Sequence, residues 1–470
     1  MLYSEALEFL YGLGNYEKTP PVNYDASTHD LGRMGQLLAA LGNPHERFKT
    51  IHVAGSKGKG STCAMLASVL RHMGLKVGLY TSPHLSSFRE RTRVNGNLIP
   101  PEVVGLLAVQ IKSAITKKVM QEDGTETEER TLPVTTFDAG TALAFMHFAR
   151  ENVDWAVIET GLGGTLDSTN VITPQASVIT SISFDHMHML GNTLAEIAAH
   201  KAGIIKPAVP VVSQNQVLEA AQVIERVAHE RTAPITFLGR HWRWTPGANV
   251  LNKQTFEVKQ VSLIRSKNKP FVNDLEGWYE IQLNGKHQID NALTVIATID
   301  VLRESLRASG VQDITARVVR DGLRNAQWPG RFEVLRNDSP VILDGAHNVD
   351  SVNKLLMTLV ELYPGKRWTF VFGCYKDKDA EGMLKQLSAR ANKFIMTQAD
   401  DNVRAMPVEQ LLDIAQRRNL KATGLPKVTD ALDAATAGND GVCITGSIAL
   451  VGEARVKWAM KTGGALPETD

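Results

Sequence analysis

The sequence predicts an α/β protein of two domains, and three observations carry that prediction. The β-branched run Ile51-His-Val-Ala54 passes through the glycine-rich stretch Gly55-Ser-Lys-Gly-Lys-Gly-Ser61 into a helical repeat. Short apolar runs then alternate with stretches of helical period along most of the chain. The alternation stops at Asn325-Ala-Gln-Trp-Pro-Gly330 and restarts at Pro340, which marks a linker before a second, smaller unit. The resulting division is residues 1–325, a linker at 326–331, and residues 332–470.

Composition narrows the function classes. With 470 residues, 43% hydrophobic and 21% charged, the chain has the profile of an ordinary globular protein. A net charge of +1 supplies no bulk field for nucleic acid or an anionic membrane, so neither is an expected partner. Cys63, Cys374 and Cys443 are too scattered for a metal site and fit a reducing compartment. The start, Met1-Leu-Tyr-Ser-Glu5, lacks the features of a signal peptide, and no apolar run is long enough to span a bilayer. A cytoplasmic monomer is the simplest expectation.

In chain order, residues 1–50 read as helical up to the stop Leu41-Gly-Asn-Pro44. The glycine loop follows its strand and precedes a helix over Cys63–Met73, with Leu66, Val69, Leu70 and Met73 on one face. Strand, glycine loop and helix aim backbone N–H groups and a positive helix end at phosphate. Gly55, Ser56, Lys57, Gly58, Lys59, Gly60, Ser61 and Thr62 are therefore the expected ATP cradle. Lys59 can reach the terminal phosphates, and Ser61 or Thr62 can hold Mg²⁺. A second strand, Lys76–Ser82, opens into the polar loop Pro83–Arg91. Residues 116–131 are charged and aperiodic and read as an exposed insertion, whereas the helix around 140–148 is apolar nearly all round and reads as buried.

Trp155–Glu159 is an apolar strand ending in a carboxylate, the place where a phosphate-loop domain holds Mg²⁺; a solvent-facing acid is the alternative. A strand over Ser177–Ser183 runs into Asp185-His-Met-His188. On the helix Thr193–Lys206, Lys201 shares the inward face with Leu194, Ile197, Ala198 and Ile205. A buried ammonium needs a partner or a modification, unless the side chain snorkels or meets an inward acid. Residues 235–283 read as strand-rich. The helix starting at Gly285 carries its core face on Ile289, Leu293 and Ile296, which puts Asn291 on the opposite side. Beyond the linker, strands over Pro340–Asp344, Trp368–Phe372, Lys393–Thr397 and Gly441–Thr445 alternate with helices, and residues 463–470 read as a loose tail.

Taken together and in order, these pieces resemble the folylpolyglutamate synthase / dihydrofolate synthase family of the Mur ligase superfamily. The matching stretches are Leu41–Pro44, the phosphate loop, Thr81–His84, Glu159–Gly164, Asp167–Asn170 and Asp185-His186 with Leu190-Gly191. They continue with His200–Lys206, His287-Gln288 with Asn291, Pro329–Arg331, Leu343–Asn348, and Gly446-Ser447 with Val451–Glu453. The resemblance implies an N-terminal phosphate-loop ATPase domain with a folate pocket and a smaller C-terminal Rossmann-like domain. It implies an ATP-dependent ligase that joins L-glutamate to dihydropteroate, to folyl glutamates, or to both, through an acyl phosphate, releasing ADP and phosphate. Small molecules are then the partners. It further implies two Mg²⁺ sites: one with Ser82 and Glu159, another with His186 and Lys201, where the family's lysine is carbamylated. Asn291 matches the adenine contact, Arg331 a phosphate contact, and Asp344 a nucleotide contact with His347 beside it. Thr135, Phe137, Asp167 and Ser168 match the pterin pocket and Ser447 the glutamate pocket. Domain closure would bring Arg331 and Asp344 to the first domain.

The chain departs from the family pattern at Ser56-Lys57, where Thr-Asn is common, at Thr165 in place of an arginine, and at Asp138 in place of glutamate. Two rival readings are a Mur-type ligase acting on a UDP-sugar precursor and an ATP-binding protein without catalysis. The loop Ser82-Pro-His84 and the stretch Asp344-Gly-Ala-His-Asn348 favour the folate branch.

Overall fold

The computed structural model describes residues 1–15, 30–120, 126–261, 273–400 and 402–470. Two large sheets organise it. The first has eight strands in the order Ile235–Phe237, Val211–Ser213, Ala176–Ile179, Lys49–Ala54, Trp155–Glu159, Val77–Tyr80, Thr92–Val94 and Asn97–Leu98. The first six run parallel, and the last two are added through antiparallel pairs. Parallel strands covered on both faces read as continuous apolar runs, as Trp155-Ala-Val-Ile does, with every residue of that strand buried. Lys49–Ala54 lies in the middle of the sheet, so the glycine loop leaves from its carboxyl edge, where α/β proteins build their sites.

The helix after the loop is Lys59–His72, four residues earlier at its start than the periodicity predicts. It is buried at every position from Ser61 to Leu70, packed between the sheet and the helices Lys286–Val301 and Ala316–Arg324. Small residues Ser61, Ala64, Ala67 and Ser68 give no apolar signal, which is why only half of the buried surface shows in the sequence.

The second sheet has six strands: Glu333–Arg336, Val341–Leu343, Gly441–Thr445, Trp368–Phe372, Ala391–Met396 and Ala422–Gly424. The first is antiparallel and the other five are parallel, with helices such as Val349–Leu362 and Ile448–Thr462 as crossovers. Glu333–Arg336 is an addition to the sequence reading; its four half-buried residues lack an apolar pattern. No helix or strand lies between Arg324 and Glu333. A three-stranded antiparallel sheet, Trp242–Val250, Lys253–Gln260 and Gly277–Ile281, accounts for the strand-rich region outside 262–272, which is not described.

Three expectations are corrected. Residues 1–50 are not one helical run: the described part holds helices Tyr3–Tyr11 and Leu31–Ala40 and a short 3-10 turn, and residues 16–29 lie outside the described residues. The charged insertion is exposed as expected but regular, a hairpin pairing Thr116–Met120 with Glu126–Arg130; residues 121–125 are not described. The tail does not end free, because the Asp470 carboxylate accepts hydrogen bonds from Ser87 Oγ (2.7 Å) and the Phe88 amide (2.8 Å).

Candidate active site

A cleft of about 710 Å³ opens at the carboxyl edge of the first sheet and is closed from the other side by the second domain. Ser56, Lys57, Gly58, Lys59, Gly60 and Ser61 form its floor, with Ser82, Glu159, Asp185, His186 and Asn291 around them. Arg331, Asp344 and His347 face them from beyond the linker, and Thr135, Phe137, Asp167 and Ser168 line one end. Gly55, Thr62, Lys201 and Ser447 stand behind these walls.

The loop is divided in its use. The Ser56 and Lys57 amides donate to the Ser181 carbonyl (2.9 and 3.1 Å), which pins the loop to the neighbouring strand end and takes those two donors out of the cradle. The first turn of the helix follows, with Thr62 N bonded back to Gly58 O. Gly58 to Ser61 therefore present the free N–H groups and the positive helix end to the cleft. Gly58 has φ +90°, and a Cβ there would lie 2.4 Å from Asn291 Oδ1; only glycine fits.

Charge is arranged around this turn. Lys59 Nζ donates to Gly55 O (3.2 Å) and stands 4.0 Å from Glu159. Burial pushes the Glu159 carboxyl up to about 7, against the pull of Lys59. Among the described residues its hydrogen bond comes from the Ser82 amide (3.3 Å), and the Thr62 hydroxyl is buried with no partner. A desolvated, under-compensated carboxylate beside hydroxyl groups is a donor set that fits one hard divalent cation.

The second expected metal site is different. Lys201 is 4% exposed and its Nζ donates to Gly55 O (2.9 Å), so the puzzle of the inward lysine is answered by a backbone carbonyl rather than an acid. Burial, helped by the charge on Lys59, lowers its amine to about 7. Among the described residues no group of three or more His, Cys, Asp or Glu side chains gathers where a metal could sit. His186 and an unmodified Lys201 therefore do not make a cation site by themselves.

Sequence reasoning missed the hub beside them. Lys57 Nζ donates to Asp185 Oδ2 (2.6 Å), and Lys378 of the second domain lies 3.9 Å from the other carboxylate oxygen. Burial raises the Asp185 carboxyl, but Lys57 and its cationic neighbours outweigh this and hold it below the usual range. His347 reaches the same hub: burial keeps the ring neutral, its Nδ1–H donates to Gly345 O (2.8 Å), and Nε2 accepts from Lys57 (3.4 Å). This pairing spans 290 residues of sequence, and no local pattern announces it.

Asp344 ties the linker to the second sheet. Its two oxygens accept from the amides of Phe332 and Ala346 (2.9 Å each), and Arg331, anchored on Gly330 O (3.1 Å), lies beside it. At the far end of the cleft Thr135 caps the helix Thr136–Arg150, whose Asp138 accepts from Arg33 (2.9 Å) and Ser168 (2.5 Å). Asp167 is buried and accepts from the Leu162 amide (2.8 Å), and Phe137 covers Gly161, where a Cβ would clash at 2.4 Å. An aromatic wall with buried carboxylates and a guanidinium suits a flat heterocycle with N–H donors.

Two placements differ from expectation. Asn291 is not on an outer face: it is 2% exposed, on a helix buried on nearly all sides. The missed signal is a second, polar stripe of Gln288, Asn291, Thr294 and Thr298 at helical spacing. Ser447 is buried and caps the helix Ile448–Thr462 through its Oγ (3.1 Å from Leu450 N), which leaves the cleft wall there to Ile448 and Ala449.

Residues 102–299 match the model of the Mur ligase middle domain, and residues 330–448 that of the Mur ligase glutamate ligase domain. The chain is 37% identical to the dihydrofolate synthase/folylpolyglutamate synthase of Bacillus subtilis, over 90% of this chain and 94% of that one. Among solved structures, Mycobacterium tuberculosis folylpolyglutamate synthase complexed with ADP superposes with a TM-score of 0.81 at 28% identity, covering 99% of both chains. Escherichia coli FolC in complex with DHPP and ADP gives 0.77 at 27% identity, over 98% of this chain and 97% of that one.

Proposed function

Because the chain belongs to the dihydrofolate synthase/folylpolyglutamate synthase family of Mur ligases, we propose that its cleft attaches L-glutamate both to dihydropteroate and to folyl glutamates. The protein is an ATP-dependent carboxylate–amine ligase. The observation that carries the substrate reading is one continuous cleft that runs from Gly58–Ser61 to Phe137 and Asp167.

ATP, when bound, supplies the phosphoryl group that makes the substrate carboxylate an acyl phosphate open to attack by the glutamate amine, and Mg²⁺ spreads the charge on that group. The chain's own residues do the rest. Gly58–Ser61 orient and neutralise the phosphates, Lys59 adds a cation over the same spot, and Glu159 with Ser82 would hold Mg²⁺. Arg331, Asp344 and His347 contribute from the second domain, so water is excluded only with the domains together. Phe137, Asp167, Ser168 and the Arg33–Asp138 pair hold the pterin, with Thr135 fixing the start of their helix.

Lys201 is the carbamate site in this reading. With the amine lowered to about 7, a large neutral fraction is present at physiological pH to attack CO₂. The N–C bond forms, the amine proton is released, and the buried cation becomes an anion able to complete a second Mg²⁺ site with His186. We read the protein as a cytoplasmic monomer with small-molecule partners; among the described residues no helix is long and apolar enough to cross a membrane.

The test is ADP release with ATP, Mg²⁺ and L-glutamate, offering dihydropteroate and a reduced folyl monoglutamate separately. Release with both, tracking amide product, is expected. Release with one alone would restrict the activity to the corresponding half-reaction, and silence with both would refute the folate reading.

A further inference from the structure

We infer that Leu85 is a positioning residue: held between the linker and the second domain, it makes domain closure set the Ser82 side of the Mg²⁺ site. This rests on the reading of Glu159 with Ser82 as the cation site, and it gives that site a dependence on the second domain.

The loop that carries both residues is built as one stiff piece. Its base is shut where the Thr81 amide donates to Arg91 O (3.0 Å), and Arg91 braces it from within by donating from Nε to His84 Nδ1 (2.9 Å). The Glu90 carboxylate accepts from three successive amides, those of Leu85 (3.0 Å), Ser86 (2.9 Å) and Ser87 (3.1 Å). Hydrogen bonds to an ionised acceptor are the strong ones, so the loop moves as a unit rather than bending inside. A displacement at Leu85 is therefore passed to Ser82, whose amide donates to Glu159 (3.3 Å).

Leu85 belongs to the first domain, yet its side chain packs against a core cluster of the second. Two glycines make room for it. On the helix Ile448–Thr462 a Cβ at Gly452 would overlap the Leu85 carbonyl, so backbone lies against backbone there. Glycine is a poor residue for a helix interior, and this contact is what requires it. In the linker Gly330 has φ +73°, and a Cβ there would lie 2.9 Å from Leu85 Cδ2. Ser86 Oγ adds a bond to Gly452 O (3.3 Å). The linker residue that follows Gly330 is Arg331, which lines the cleft. Where loop, linker and helix meet, only about 20 Å³ stays free, room for one water. A junction packed this closely does not absorb a shift; it transmits one.

The experiment measures the Kd of the non-hydrolysable analogue AMPPCP on the full chain, in EDTA and across a Mg²⁺ series, beside the Mg²⁺ concentration for half-maximal ligase activity. Leu85→Ala should leave the Kd in EDTA unmoved, because the Gly58–Ser61 turn is untouched. It should raise the Mg²⁺ requirement in both assays at least about fivefold, the low end of coupling between linked sites. Gly452→Ala pushes the same loop away from the opposite side with a better helix former, and should give the same shift. Leu85→Met conserves volume and should keep native behaviour. Leu251 is the control, a first-domain residue packed against the core on the other face of the second sheet with no contact to the loop. A merely structural role would make Leu251→Ala and Leu85→Ala alike. An unmoved Mg²⁺ requirement in Leu85→Ala and Gly452→Ala, or an equal shift in Leu251→Ala, overturns the inference. Glu159→Gln tests the premise separately: a Mg²⁺ requirement unmoved there removes the cation from this site, and the inference with it.

Discussion

Replacing Lys201 by methionine should destroy activity and stabilise the fold, and the two effects share one cause. The side chain is buried at 4% exposure with a carbonyl as its partner, and its amine is lowered from 10.5 to about 7. At about 1.4 kcal/mol per tenfold change in proton affinity, holding the ammonium in the folded state costs about 5 kcal/mol. Methionine has a similar shape and no charge, and Gly55 O keeps its bond from Lys59, so a gain of about 3–5 kcal/mol is expected below pH 7. The pH dependence is diagnostic. Between about pH 7 and 10.5 the unfolded chain holds a proton that the folded chain has released, so the native protein becomes more stable as pH rises. The advantage of the variant should shrink accordingly, to about 2 kcal/mol at pH 9. The assay is thermal melting of both proteins in CO₂-free buffer at about pH 6.5 and about pH 9, which separates the amine from any carbamate. A variant that melts below the native protein at the lower pH, or a gap that does not change with pH, would refute the reasoning. Ligase activity that survives in Lys201→Met would remove the carbamate from the mechanism.

Three further outcomes are expected. Glu159→Gln keeps the shape but removes the charge opposite Lys59, so the Mg²⁺ concentration for half-maximal activity should rise at least tenfold; an unchanged Mg²⁺ titration would place the cation elsewhere. Asp185→Asn leaves Lys57 buried without its acid, and urea unfolding should show a loss of about 3 kcal/mol, with a higher KM for ATP as the phosphate loop loosens. Replacing residues 117–129 by a short glycine turn joins Thr116 to Arg130, which already face each other, so kcat/KM should stay within twofold and stability within about 1 kcal/mol; a larger loss would give the exposed hairpin a role.

What the sequence determined by itself is the part written in local order. Glycines between a β-branched strand and a helix mark a phosphate loop because only they allow the close approach seen at Gly58. An apolar strand ending in Glu159, an inward lysine on an amphipathic helix and a break in periodicity near Asn325 are equally local, and all are found where the sequence puts them. The residues Lys59 to Thr62 could be read as candidates for phosphate contact but not as helix, since a helix of small buried residues has no periodicity to show.

Only the tertiary structure could decide which partner each polar group finds. Lys201 meets the Gly55 carbonyl 146 residues away, Lys57 meets Asp185 and His347, and the Ser447 hydroxyl is taken by its own helix end. Asn291 was placed on an outer face because one helix considered alone has an inside and an outside, whereas this one is enclosed on nearly every side and keeps its polar stripe for Gln214. Periodicity reports that a side chain must be buried or satisfied; the direction of its hydrogen bonds, and hence what it can recognise, is fixed only when distant strands and helices bring their donors and acceptors to the same point.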